Sequence, residues 1–335
     1  MQFAVLRQDR KGKRNVARSE GERAAATGIQ TGNGTAVGTR EVKAVNQLTL
    51  APLVIAPATR WMLIAAAFLV VGAGLDLFVF AEYTGTMFAW AIDPPLTAAF
   101  LGANYLAAGI VEIGAARQPT WARARVAIPA VMLFTTLTAG LTAVNLRFLD
   151  LANPMAWVWL VVYFGVPPIL GYVWWRQARQ PGDDGPRQAP LPAALRTSML
   201  VVGALTLPFG IALLVAPSWA AAAWPWNLSP DLEGYGAGTS AMEQYVGVWL
   251  LAWGTVMLHA SIENDLARTR YVFTALLVLG ALQALGAYRF ATVDDGSIRH
   301  GAAYVLALVA VGVLGTWGHI AAGRRSRGPE IGVRV

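Results

Sequence analysis

Eight apolar stretches of about 20 residues constrain this chain more than any other feature, because that is the length a helix needs to cross a bilayer's hydrocarbon core. They lie near 61–81, 96–116, 125–145, 155–175, 197–217, 239–260, 271–289 and 302–322. Composition supports the same reading. Hydrophobic residues make up 56% of the chain and charged residues 13%, whereas a soluble domain carries about a quarter charged residues. A surface so poor in charge needs lipid as its solvent, and in lipid only helices and closed barrels satisfy the backbone internally. The expected fold class is all-α integral membrane, with eight transmembrane helices.

The net charge is +7, and its distribution points to membrane topology rather than to nucleic acid. With the N-terminus placed inside, 23 of the 26 basic residues fall in inside segments. Only Arg147, Arg289 and Arg299 fall outside. Such a bias sets orientation, so both termini are expected in the cytoplasm of a bacterial inner membrane. Residues 1–60 read as a basic, disordered cytoplasmic tail without a signal peptide, and 324–335 as a second basic tail. The run from Leu48 to Pro57 is too short to span and is expected at the interface.

A Pro/Gly-rich inner linker, 178–196, separates a first four-span unit (61–177) from a second (197–323). The units resemble one another. Gly102, Leu106, Ala107 and Gly109 meet Gly247, Leu251, Ala252 and Gly254 in the second spans. In the fourth spans Val158, Gly165 and Gly171 meet Val305, Gly312 and Gly318, and Arg147-Phe148 meets Arg289-Phe290. A tryptophan–proline turn precedes the second span in both units, as WAIDPP and WPWNLSP. An even span number gives a parallel repeat, so two tandem four-helix bundles are expected, closed by small-residue contacts.

Several chemistries are excluded. The chain has no cysteine, which removes thiol redox, Cys-ligated zinc and iron–sulfur clusters. Three histidines are too few for a multi-His metal centre. No Walker A, GxSxG, HExxH or GxGxxG motif occurs. No metal or cofactor is expected. A bis-His haem would need His259 and His319 to face each other, and terminal histidines are ordinarily interfacial.

Ionisable and amide groups inside spans are the sharpest signal, since a charge at the helix centre costs roughly 2.5–3.5 kcal/mol on insertion scales. Asp76, Asn104, Glu243 and Gln283, with Arg147 and Arg289 at the outer ends of the third spans, form the candidate ligand-binding set. Asp76 and Arg147 are the expected charge partners in an outer-half pocket, with Asn104 as a hydrogen-bonding group. The competing reading is a structural ion pair that orients helices. Glu112, near an inner helix end, is expected to reach water beside Arg117. Most of the 13 tryptophans sit at span ends and are expected to form interfacial belts; stacking on a ligand by Trp90, Trp224 and Trp226 is the alternative.

The repeated Trp–Pro turn, WAIDPPLTAAFLGA and WPWNLSP, resembles polytopic membrane proteins of high-GC bacteria over roughly residues 61–322. A more distant architectural similarity is to DoxX-like four-helix membrane proteins. The resemblance implies a multi-pass membrane location and supplies no activity. The expected function is non-enzymatic: a carrier or binding protein for a small or lipidic ligand, in contact with membrane lipids. The alternative is an accessory or scaffold subunit with a membrane-protein partner. No nucleic-acid partner is expected.

Overall fold

Prolines set where the four helices of the first half begin, because a fixed φ and a missing N–H suit the first helical turn. In the computed structural model, which describes residues 51–228, 240–290 and 301–326, α1 spans Pro57–Val79, α2 Pro95–Ala116 and α4 Pro154–Ala178, each with proline in its first turn. The intervening α3, Ile128–Val144, has Pro129 in the same place. Asn153 also caps α4, its side chain accepting from the Met155 N–H. The second half comprises α5 (Ala193–Val215), α6 (Ala241–Glu263), α7 (Leu266–Phe290) and α8 (Gly301–Ser326). Most of the two tails, the turn at Asp294–Gly296 and Arg299 lie outside the described residues.

Seven of these helices are long and apolar enough to cross a membrane. The eighth expected span, 125–145, is the exception. Its helix, α3, has 17 residues, about 25 Å at 1.5 Å per residue, and a separate turn at Trp121–Ala124 takes up the preceding residues.

Helix ends gather into two sets. At the basic end, Ala51 and Leu53 pair with Asp183, and Leu53 also accepts from the Trp121 N–H. There Gln177 holds the start of α1, accepting from the Ala56 N–H and the Thr59 hydroxyl and donating to the Val54 carbonyl. The run before α1 therefore sits between the α2–α3 turn and the linker. The linker is itself fastened to the α6–α7 turn: Arg187 donates to the Glu263 carbonyl, Gln188 N–H to Asp265 and Leu266 N–H to the Ala189 carbonyl. Arg268 and Arg125 both reach Glu263 at 2.7 Å, and Arg125 also pairs with Asp184. Burial works against the Arg125 charge, but its hydrogen bonds to Asp184 and Glu263 outweigh that, so its pKa is raised.

The helices do not close as two separate tandem bundles. Within each half α1 packs on α2, α3 on α4, α5 on α6 and α7 on α8. Across the halves, α2 packs on α7 and α3 on α6, and these contacts are more extensive than that between α6 and α7. The second hairpin of each half therefore packs on the first hairpin of the other. The α2 and α6 helices are mostly buried, whereas α1, α4, α5 and α8 keep apolar flanks outside, with Phe68, Val161, Leu205 and Leu306 exposed.

Glycines decide how close the hairpins come. A Cβ on Gly102 would lie 2.6 Å from the Phe78 nitrogen and 2.9 Å from the Gly74 carbonyl oxygen. In the second half a Cβ on Gly247 would lie 2.8 Å from the Gly210 carbonyl oxygen. Leu106 closes over Gly74 as Leu251 closes over Gly210. Two hairpins far apart in sequence thus use one packing solution, small residues that let backbones touch.

Candidate functional site

Two clefts result from this packing, one on each side of the buried helices. Where α5 and α8 diverge, a cavity of about 420 Å³ is floored by Phe100 and Asn104 of α2, Leu250, Trp253 and Met257 of α6, and Leu279 and Gln283 of α7. Its rim residues Leu205, Ala303, Ala307 and Ala310 are exposed, so the cavity opens sideways between the two helices. Nearly every lining side chain is apolar.

Its polar groups are few and placed. Asn104 is 2% exposed; its amide donates to the Phe100 carbonyl and its Oδ1 accepts from Trp253 Nε1 at 2.8 Å. Gln283 accepts from the Tyr304 hydroxyl at 3.3 Å. Trp224, from the Trp–Pro turn after α5, packs on Phe100 and Phe209. Trp224 lines this cavity, and its Nε1–H is buried without a hydrogen-bond partner among the described residues. Leaving a buried donor unmade costs about 1–3 kcal/mol. The neighbouring Trp226 satisfies its own N–H on the Thr97 hydroxyl.

The matching gap between α1 and α4 is nearly closed, with a cavity of about 70 Å³ lined by Glu112, Thr135, Tyr163, Trp249 and Trp253. An aromatic cluster fills the space. Trp249 lies 4.1 Å from Phe134 and 4.8 Å from Tyr105, ring centre to ring centre. Tyr105 and Tyr163 share a 2.6 Å hydrogen bond, and Tyr163 also packs on Trp159. Glu112 is 3% exposed and its Oε2 has no partner among the described residues. It does not reach water beside Arg117 but is buried on the small cavity, among Val111, Val131, Tyr163 and Trp253.

The candidate set is divided rather than assembled. Asn104 and Gln283 share the α5–α8 cleft. Asp76 and Arg147 form neither a hydrogen bond nor an ion pair with each other. Arg289 instead crosses from α7 to the C-terminal end of α1, donating to the Phe78 carbonyl at 2.9 Å and lying over the Phe290 ring. A cation there complements the negative end of the helix dipole. Glu243 is buried in the first turn of α6, away from the cleft lining.

The tryptophans also divide. Trp61, Trp157, Trp175 and Trp219 are exposed, as a belt requires, but Trp121, Trp224 and Trp226 are buried and Trp90 stacks on Tyr245. Sequence reading missed Trp224 as a cleft donor and Trp249 as a plug; the one signal was the Asn104/Trp249 exchange between otherwise similar helices. His259 meets the Val126 carbonyl and His319 the Thr274 hydroxyl, so the two histidines face different partners. Among the described residues no group of His, Asp or Glu could hold a metal ion. No known protein family, curated protein or solved structure matches the chain.

Proposed function

We propose that this chain is a multi-pass membrane protein that binds an apolar, chain-like ligand carrying a hydrogen-bond acceptor, in the cleft between α5 and α8. The observation that carries this reading is a sideways-opening, mostly apolar cavity lined by Trp224, whose buried Nε1–H has no hydrogen-bond partner among the described residues. Ligand sites are ordinarily such cavities, mostly apolar with a few orienting polar groups. An acyl or isoprenoid chain with a carbonyl or ester oxygen fits that chemistry. Among the described residues the lining holds no nucleophile–base pair.

The membrane reading rests on the seven apolar helices and on the apolar residues exposed along α1, α4, α5 and α8. Arginines gathered at one end support a cytoplasmic basic end and an inner-membrane location. The shared glycine contacts of the two hairpins support an origin by duplication. A subunit role would leave the cleft to a partner helix, and the test separates the two.

The test is photocrosslinking of the full chain in phosphatidylcholine vesicles with a diazirine-bearing fatty acid, mapped by mass spectrometry. Adducts should concentrate on the α5 and α8 rim and disappear in Ala307→Trp and Ala310→Trp, whose side chains would occupy the cleft. Adducts spread evenly over all outward helix faces, or unchanged by either substitution, would overturn the binding reading.

A further inference from the structure

The basic end carries a second cavity, quite unlike the first. About 910 Å³ lies between the end of α2, the α2–α3 turn, the start of α7 and the end of α8. Three arginines from three elements line it: Arg117, Arg123 and Arg270. Gln118, Gln188 and Thr274 supply further polar groups, and Ile110, Ile113 and Leu266 form an apolar flank. Among the described residues no carboxylate lines the cavity.

That absence is specific to this place. At the neighbouring α6–α7 turn, Glu263 and Asp184 neutralise Arg125 and Arg268. In the cavity Arg123 has, among the described residues, only the neutral Gln188 Oε1 as a side-chain partner, at 2.9 Å. Arg117 and Arg270 are exposed and make no ion pair among the described residues. The frame beneath them is fixed. The Tyr271 hydroxyl donates to the Arg123 carbonyl, and a Cβ on Gly114 would meet the Tyr271 side chain, so α2 and α7 touch closely here.

We propose that this cavity binds the phosphate group of an anionic ligand. Guanidinium groups match phosphate oxygens in charge and bidentate geometry, and among the described residues no carboxylate lines the cavity to offset the three around it. The apolar flank of Ile110, Ile113 and Leu266 beside the arginines suits a phospholipid headgroup with its glycerol. A soluble phosphate ester offers the same head chemistry. This site is separate from the α5–α8 cleft and stands or falls without it.

The test uses the full chain in phosphatidylcholine nanodiscs, with phosphatidylglycerol or with added inorganic phosphate, and as variants Arg117→Gln/Arg270→Gln and a control, Arg176→Gln/Arg179→Gln, at the same end on α4. Native mass spectrometry reads retained lipid, and the thermal midpoint reads protection. Phosphatidylglycerol retained by the unaltered chain should fall at least about tenfold in the first variant and little in the control. Protection by inorganic phosphate without lipid retention, lost in the same variant, would place the ligand in solution and still support the site. Because both arginines are exposed, the variant should fold, which an unchanged midpoint in plain phosphatidylcholine checks. Equal retention or protection in the two variants would overturn the proposal.

Discussion

The two side clefts are built on one frame and have opposite contents. In both, a first hairpin packs glycine on glycine, Gly74 against Gly102 and Gly210 against Gly247. Two residues beyond the second glycine of each pair stand Asn104 and Trp249, and three beyond stand Tyr105 and Leu250. Two before Gly165 and Gly312 stand Tyr163 and Ala310. Because the second hairpins pack on the other half, Trp249 and Tyr105 meet Phe134 and Tyr163 and fill the α1–α4 gap. Asn104 and Leu250 leave the α5–α8 gap to Ala310 and a cavity of about 420 Å³. A handful of large-for-small exchanges thus separates a plugged side from an open one, with the helix frame unchanged.

Removing the plug should have the largest effect. Trp249→Ala should destabilise the chain by about 3–5 kcal/mol, the cost of emptying a packed aromatic site, read as a lower thermal midpoint in detergent. It should also bring photocrosslinks to the α1 and α4 faces. A midpoint within error of the unaltered chain would break the plugged-versus-open contrast.

Next come the glycines, which test whether the frames are equivalent. Gly102→Ala and Gly247→Ala should each cost about 1–3 kcal/mol through overpacking, and by similar amounts, since both put a Cβ under 3 Å from backbone atoms. Gly72→Ala, with nothing within 4 Å of its Cβ, is the internal control and should be neutral or stabilising.

Third, Asn104→Ala strands the Trp253 N–H and should cost about 1–3 kcal/mol. Joining it to Trp253→Phe should recover part of that loss, because no orphaned donor remains. The smallest effects separate two adjacent tryptophans. Trp226→Phe removes a hydrogen bond to Thr97 and should cost about 0.5–1.5 kcal/mol. Trp224→Phe removes a donor that has no partner among the described residues, so stability should hold while crosslinking in the cleft falls. Equal losses for both would mean that Trp224 donates within the protein.

The seven long apolar helices and their order were legible in the sequence, because apolar length states them directly. Partner choice was not. When lipid is the solvent, outward and inward faces are both apolar, so no periodic stripe marks the face that packs. Val161 is exposed and Val246 buried, and neither residue type says which. Asn104 was legible as a polar group needing a partner, but its partner, Trp253, comes from the other half. Asp76 and Arg147 looked like partners because they shared a depth, and depth alone does not place two helices side by side. The basic end was legible as charge. Its division into neutralised and unneutralised arginines depends on where the linker runs, which Pro and Gly content does not specify.

The crossing of hairpins between halves bears on how the chain is made. When α2 and α3 have been made, ending at residues 116 and 144, the helices they pack on, α7 and α6, start only at residues 266 and 241. At about 5–20 residues per second, the first half waits several seconds or more with its closing faces open. Cutting the chain within 181–192 and supplying both pieces together should therefore restore what neither piece does alone, with the pinned linker serving as the clasp that aligns them.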